Sequence, residues 1–345
     1  MDGLSSGFGR YILRRLLLAA GVLAGVTVVT FLAAQVIPAD PAARWVGPHA
    51  TAEQIARARE ELGLDRPLPI QYADYIGRLL RGDWGTAVVT HQPVLSDLLA
   101  FLPPTLELVV ASTLLALVIG VPLGVVGARY RDRVPDHLSR MLAIAGVSMP
   151  TFWLALLLQL VFFRQLGWFP LQGRLDTTFQ LIHPVPSITG AYVLDGLLTG
   201  DWVLVVEAGR HLVLPALALA AYPIGLVMRM VRAAMSEVLG EDHVRNARAL
   251  GVGEGTILFR YALKPALGPV LTVVGLSFGY SLTGAFLVEA VFGWPGLGRY
   301  AASALVAGDY PAIMGVTILV ATAYVLINLV VDVVQAWLDP RIALR

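Results

Sequence analysis

Cysteine is absent from this chain, and lysine occurs once, at Lys264. Without a thiol there is no disulfide framework, no thiolate nucleophile and no thiolate metal site. The lone lysine among many arginines reads as composition bias, not chemistry. Charge of either sign is scarce: 14% of the 345 residues are Asp, Glu, Lys or Arg, against 57% hydrophobic. A soluble domain averages about 25% charged residues. So few charges cannot cover a water-soluble globule of this size, and lipid is the implied solvent. Alternating segments of about 10 residues, the signature of a membrane β-barrel, are also missing. Net charge is +1, which argues for neither nucleic acid nor an acidic partner.

Enzyme motifs are missing too. The histidines at 49, 91, 137, 183, 211 and 243 are scattered without His-Glu-x-x-His or other ligand spacing, so no metal is expected. No Gly-x-Ser-x-Gly elbow occurs. Gly251-Val252-Gly253-Glu254-Gly255 follows a helical stretch and lacks the Lys-Ser/Thr ending of a phosphate cradle. No catalytic residue, cofactor or ATPase site is expected in this chain, and there is no internal repeat or low-complexity tract.

What is present is a set of long apolar runs. A helix needs about 20 such residues to cross a hydrocarbon core. Six stretches qualify: Leu16–Ile37, Leu108–Ala128, Met141–Phe163, His211–Met228, Pro265–Val288 and Tyr310–Val331. The fourth, the shortest, relies on Arg210 and Arg229 at the two interfaces. The first follows Arg10, Arg14 and Arg15 as a signal peptide would, but is longer than a signal h-region of about 7–15 residues. It is expected to be a retained transmembrane helix. The expected fold is an all-α polytopic membrane protein of six transmembrane helices.

Orientation follows from the arginines. The N-terminus, 129–140, 229–264 and the tail 339–345 carry 15 basic against 8 acidic residues. The segments 39–104, 164–210 and 289–309 carry 10 against 13, with Glu107, Glu289 and Asp332 counted to the membrane. The basic side faces the cytoplasm, which puts both termini inside. Residues 1–104 would comprise the first helix and an extracytoplasmic segment, and 105–338 the main membrane domain. In the outer segment, Thr51-Ala52-Glu53-Gln54 reads as a capping box for a helix ending before Gly63. A second amphipathic helix would present Tyr72, Ile76, Leu79 and Leu80 on one face. Trp168 and Trp202 mark the outer loop 164–210, long enough to be functional or disordered.

The cytoplasmic loop 229–264 is the most informative stretch. Glu241 and Asp242 open a short helix at the end that favours negative charge, and Gly251 is placed to end it. Small Ala247 and Ala249 would let another backbone approach. A second short helix over Glu254–Leu263 would present Ile257, Leu258 and Tyr261. On physics alone this could be a docking handle or a plain connector. Glu107, Glu289 and Asp332 sit near span ends, where an acid can be structural or can mark a solute path. Phe292–Gly298 reads as a tight interfacial turn.

Glu241 through Gly251 resembles the "EAA" loop of binding-protein-dependent ABC importer permeases. More narrowly, it is similar to the dipeptide/oligopeptide/nickel family, in the branch holding the first of two paired permeases. Leu62–Pro69, Leu102–Leu108, Ser148–Trp153, Leu166–Pro170, Glu289 with Phe292–Gly298, Asp309-Tyr310-Pro311 and Asp339-Pro340-Arg341 extend the likeness along nearly the whole chain. His243, Arg245 and Lys264-Pro265 depart from the usual pattern.

The resemblance implies a type I ABC importer permease fold in the cell membrane, multi-pass. It implies a coupling helix of Asp242, Arg245, Asn246, Ala247, Arg248, Ala249 and Gly251 received by a cytoplasmic ATPase. Glu107, Glu289, Asp332, Trp294, Pro295 and Gly296 become candidates for the translocation path or outer gate. The implied partners are a second homologous permease, two ABC ATPase subunits that bind the ATP, an extracytoplasmic solute-binding protein and membrane lipid. The solute would be a di- or oligopeptide. The alternatives are a same-family permease for nickel or another non-peptide solute, and an ion-gradient-driven secondary transporter, which would want mid-membrane acids in inverted repeats.

Overall fold

A computed structural model describes residues 2–36, 46–47, 50–61 and 63–338. The expected tail 339–345, the motif Asp339-Pro340-Arg341 and the start of the outer segment at 39–45 lie outside the described residues. Among those described, regular structure is helical: α1 (Asp2–Val36), α2 (Ala52–Glu61), α3 (Leu68–Leu80), α4 (Val94–Arg129), α5 (Val134–Ser148), α6 (Thr151–Leu158), α7 (Thr177–Ile182), α8 (Tyr192–Thr199), α9 (Trp202–Val238), α10 (Asp242–Ala249), α11 (Glu254–Val291), α12 (Leu297–Ala307) and α13 (Tyr310–Leu338).

Five helices are long and apolar enough to span: Ile12–Ala33 of α1, then α4, α9, α11 and Tyr310–Val334 of α13. The sixth expected span differs. The run 141–163 is not one straight helix, because α5 and α6 meet at a bend of 106°. The cause is local. Pro150 disfavours helical geometry at the residue before it, and Met149 is extended (φ −79, ψ 130). A π-helical segment, Gln159–Gln165, continues α6. Counted as one broken span, this pair brings the number to six.

Other boundaries moved outward. α4 begins at Val94 instead of Leu108 and runs straight through Pro103 and Pro104. Its first turns are held by tertiary packing: Val94 and Leu98 are buried against Leu297, Tyr300 and Ala312. Pro215 and Pro223 likewise lie inside α9. Prolines are tolerated in membrane helices when neighbours satisfy the freed carbonyls. The separate second helix expected at 254–263 does not exist as such. It runs into α11 through π-helical turns at Ile257–Leu263, which widen the backbone just before Pro265.

α9 is the central post, packed on α4, α5, α8 and α11. It buries Ala216, Ala218, Ala220 and Gly225, as expected where lipid gives no hydrophobic drive and close approach supplies the attraction. By contrast α1 leans mainly on α13 and, from Ile12 to Ala33, leaves most of its side chains exposed to the surroundings. Arg15 meets Asp332 at 3.0 Å, so the start of α1 and the end of α13 share one end of the molecule.

In the outer segment the capping box is present. Thr51 N donates to Gln54 Oε1 (2.8 Å) and Gln54 N to Thr51 Oγ1 (3.3 Å). α3 packs on α1 through Tyr72 and Tyr75, whose rings lie 5.4 and 6.0 Å from Phe31. Leu80, expected on that face, is 82% exposed instead.

At the basic end one clamp ties α5 to α9. Arg232 Nε and Nη2 donate to Asp136 at 2.5 and 2.8 Å, and Arg140 lies 3.2 Å away. Asp136 is fully buried. Removing one partner of a buried pair strands the other charge. We therefore expect Asp136→Asn to cost about 2–3 kcal/mol, less than a fully buried pair because both arginines keep some water. The thermal unfolding midpoint of the purified protein checks this, with Arg140→Gln as the milder control.

Candidate functional site

Three features stand out: a sealed knot at the outer end, a cleft along the bundle, and an exposed helix at the basic end. The knot is built on Glu289, which is fully buried near the end of α11. Thr105 Oγ1 of α4 donates to Glu289 Oε1 (2.6 Å), and Leu297 N donates to Thr105 Oγ1 (2.8 Å). Arg299 N reaches Glu289 Oε2 at 3.0 Å, and Gly298 N also donates to the carboxyl. The acid therefore sits at the N-terminus of α12, where free N–H groups and the helix dipole favour an anion. The glycines are required by proximity. A Cβ on Gly296 would overlap Glu289 and Thr105, and one on Gly298 would lie 2.5 Å from the Phe286 backbone.

Trp294 completes the seal. It is 1% exposed, and its Nε1 donates to Pro104 O (2.9 Å). The turn Phe292–Gly298 is thus a plug with its large aromatics turned inward. That agrees with a tight turn, and neither Phe292 nor Trp294 can reach an external partner. The structure brings Glu289, Trp294 and Gly296 together, with Pro295 in the same turn. Glu107 is close by: Arg174 Nη2 donates to Glu107 Oε2 (2.6 Å), and its guanidinium lies 3.8 Å from the Tyr192 ring and 5.5 Å from that of Trp294. Asp332 stands apart, at the opposite end with Arg15.

The loop 164–210 is ordered by carboxylates. Asp176 caps α7 through Thr178 N (2.7 Å) and Phe179 N, and these N–H groups hold its carboxyl below the ordinary range. Asp201 caps α9 and bonds His183 Nε2 (2.6 Å), which likewise lowers its pKa. Burial works to raise Asp195, but the Thr189 hydroxyl and the N–H groups of Thr189, Gly190 and Ile188 outweigh it. A depressed carboxyl contributes stability that is present above its unfolded pKa of about 3.9 and is lost as pH falls through the folded value. Hydrogen exchange across 176–204, corrected for intrinsic rate, should therefore be flat from about pH 7 to 5 and rise only below about pH 4.

The cleft, about 930 Å³, lies among α1, α9, α11 and α13. Thr105, Leu297 and Gly298 line it, so the knot forms its outer end. Ser277, Tyr280 and Thr283 of α11, Tyr222 of α9, and Thr317 and Tyr324 of α13 supply its polar groups. None of Glu107, Glu289, Asp332, Trp294, Pro295 and Gly296 is among its lining residues. The sequence did hold a signal for these hydroxyls: Tyr280 and Tyr324 interrupt apolar runs far from either interface, where tyrosine usually sits.

The exposed helix is α10. Glu241 is its N-cap, and it closes in a Schellman motif: Gly251 N bonds Arg248 O (3.0 Å) and Val252 N bonds Ala247 O (3.1 Å). Gly251 has φ +76, which side-chain-bearing residues rarely adopt. Val244 and Ala247 are buried on the chain's own α11 base. Ala247 therefore does not face outward, contrary to expectation. The outward face is Asp242, Arg245, Asn246, Arg248, Ala249 and Leu250, the last 84% exposed, and Phe259 in the first turns of α11 is 63% exposed.

Residues 120–344 match the family described as "Binding-protein-dependent transport system inner membrane component", and residues 8–109 match the N-terminal part described for the same systems. The chain is 46% identical over 321 residues to the probable D,D-dipeptide transport system permease protein DdpB of Escherichia coli (strain K12), covering 93% of this chain and 94% of that protein. It is 43% identical over 332 residues to the dipeptide transport system permease protein DppB of Alkalihalophilus pseudofirmus, covering 96% and 98%. To the glutathione transport system permease protein GsiC of Salmonella typhimurium it is 37% identical over 332 residues, again covering 96% and 98%.

Proposed function

The chain belongs to the family of binding-protein-dependent transport system inner membrane components, and from that membership we infer that it is the permease subunit of an ATP-driven importer for di- or oligopeptides. The observation that carries this is likeness over nearly the full length to permease proteins of D,D-dipeptide, dipeptide and glutathione systems. Every one of those solutes is a short peptide. The work of such a subunit is conformational: helices with two packings, biased by what binds at either end.

In this reading α10 is the handle on which a separate ATPase pulls, using Asp242, Arg245, Asn246, Arg248, Ala249 and Leu250. Ala247 and Gly251 shape it from behind. Its support is a charged and apolar face that the chain's own packing leaves uncovered, on a helix closed at its C-terminus by the Schellman motif. The clamp from Asp136 to Arg232 lies at the same end of α9 and stiffens the route from handle to bundle. The knot of Thr105, Glu289 and Leu297–Arg299 is the outer gate, closed in this conformation. Glu107 and Trp294 brace it through Arg174, Pro295 and Gly296 form its turn, and Asp332 pins α13 to α1 at the other end. A second permease, two ATPases and an extracytoplasmic binding protein complete the assembly.

The test is reconstitution of the complete system in proteoliposomes with ATP supplied on the ATPase side. Uptake of a labelled dipeptide should require ATP and binding protein and should survive collapse of the proton gradient. Uptake that tracks the gradient and ignores ATP, or uptake by this chain alone, would overturn the reading.

A further inference from the structure

Internal packing does not account for the polar groups of the cleft. Ser277 is 3% exposed, yet its Oγ has no hydrogen-bond partner among the described residues. A serine in a helix usually returns its hydroxyl to a carbonyl of the preceding turn, as Ser112 does to Val109 at 2.8 Å. A buried hydroxyl left bare is costly. Tyr222, Tyr280 and Tyr324 line the same cleft, and none of their hydroxyls bonds a described residue. The Tyr222 and Tyr280 rings stack at 4.4 Å, which holds two of the three in place. Thr283 and Thr317 donate to Tyr280 O and Ile313 O on their own helices, leaving their oxygens free to accept. No carboxylate, guanidinium, ammonium or imidazole is among the lining groups.

An occupant that satisfies these hydroxyls offers donors and acceptors along a strip between apolar walls, without relying on formal charge. A lipid acyl chain offers neither, and would leave four hydroxyls bare. A transmembrane helix of another subunit has its backbone groups bonded internally. An extended peptide carries one free N–H and one free C=O per residue. We propose that this cleft is the passage surface for short peptides, which it grips by their backbone amides through Ser277, Tyr222, Tyr280 and Tyr324. The inference rests on the peptide-importer reading above and names the solute-contact surface within it.

The dimensions agree. The lining stretch of α11 from Leu276 to Phe286 rises about 15 Å, the length of about four extended residues. The volume is in the range of small-molecule sites, about 300–1,000 Å³. Neutral hydrogen bonds also suit transit, because a passing solute must bind weakly enough to leave. Selection at this surface is by backbone, so side-chain selectivity falls to another component.

The experiment uses the assembled transporter in proteoliposomes with labelled trialanine. The triple variant Ser277→Ala, Tyr280→Phe, Tyr324→Phe keeps ring volume and packing while deleting three hydroxyls. Its maximal uptake rate should fall about tenfold or more, as each lost hydrogen bond is worth about a factor of two to ten. Capture by the separate binding protein is measured alongside. A photo-crosslinking residue at Leu276, in the otherwise unchanged chain, should trap trialanine during turnover. Wild-type rates in the triple variant, or crosslinks only to lipid or to a neighbouring subunit, overturn the inference while leaving the importer reading intact. If the triple variant does not assemble, the crosslink decides. A wild-type complex that moves no peptide removes both.

Discussion

Glu289→Ala is expected to lower stability by about 3–5 kcal/mol and to abolish regulated uptake. The substitution removes the acceptor of Thr105 Oγ1, Gly298 N and Arg299 N at once, leaving Thr105 only its longer bond to Phe101 O (3.5 Å). Each unsatisfied buried donor costs about 1–3 kcal/mol, and the three share one acceptor, so their sum is not reached. The loss is concentrated at the junction of α4, α11 and α12, which is also the outer end of the cleft. Glu289→Gln keeps one acceptor oxygen and the shape, and should cost about 1–3 kcal/mol. Gly298→Val approaches the same knot from the other side, since its Cβ would press on the Phe286 backbone and the carboxyl. Thermal unfolding of the purified complex separates these cases. An unchanged midpoint in Glu289→Ala would mean the knot is not what holds α12 down.

Leu250→Asp should cut ATP-driven uptake at least thirtyfold without changing the unfolding midpoint. On the proposed docking face, an aspartate in place of an exposed leucine would bury an unpaired charge against the ATPase, at about 2 kcal/mol or more of association, and that is about thirtyfold. Its own chain contributes nothing there, because Leu250 is 84% exposed. Arg245→Ala breaks an exposed pair with Asp242 at 3.3 Å, and surface pairs are worth little, so any large effect of it reports the partner directly. Ala247→Trp is a poorer probe. Ala247 is buried on the chain's own helix base, so a tryptophan there disrupts folding as well as docking. Gly251→Pro should also abolish uptake, because proline cannot adopt φ +76 and has no N–H for Arg248 O. Co-purification of the ATPase measures both. Normal association with Leu250→Asp in place would locate the handle elsewhere.

Much of the molecule was legible as sequence. The apolar runs located five spans directly, because hydropathy is a sum over local residues and needs no partner. Thr51 with Gln54, and Glu241 with Gly251, marked helix ends through interactions that close within a few residues. Boundaries at prolines were misplaced for the opposite reason. α4 was expected only from Leu108, past Pro103 and Pro104, yet the helix continues through both. The third run was expected to cross Pro150 unbroken, while Pro215 and Pro223 lie inside a span as expected. Pro150 did break its helix, and only the packing around each proline distinguishes the two outcomes.

The sites show the same division. Glu289 and Gly296 were singled out from sequence as a possible path or gate, but their joint role as a helix cap needed Thr105, which is 184 residues from Glu289. The cleft hydroxyls went unmarked because a tyrosine in an apolar run reads as core until the opposite wall is known.

Lipid as solvent, all-helical spans, and a short capped helix between the fourth and fifth runs follow from composition and local order, since each depends on residues within a few turns of one another. Which face of α10 looks outward, how Glu289 is satisfied, and which hydroxyls meet across the cleft depend on helices distant in the chain. Those were decided by packing, because a side chain's partner in a membrane bundle is set by which helix lies against it, and no local pattern encodes that choice.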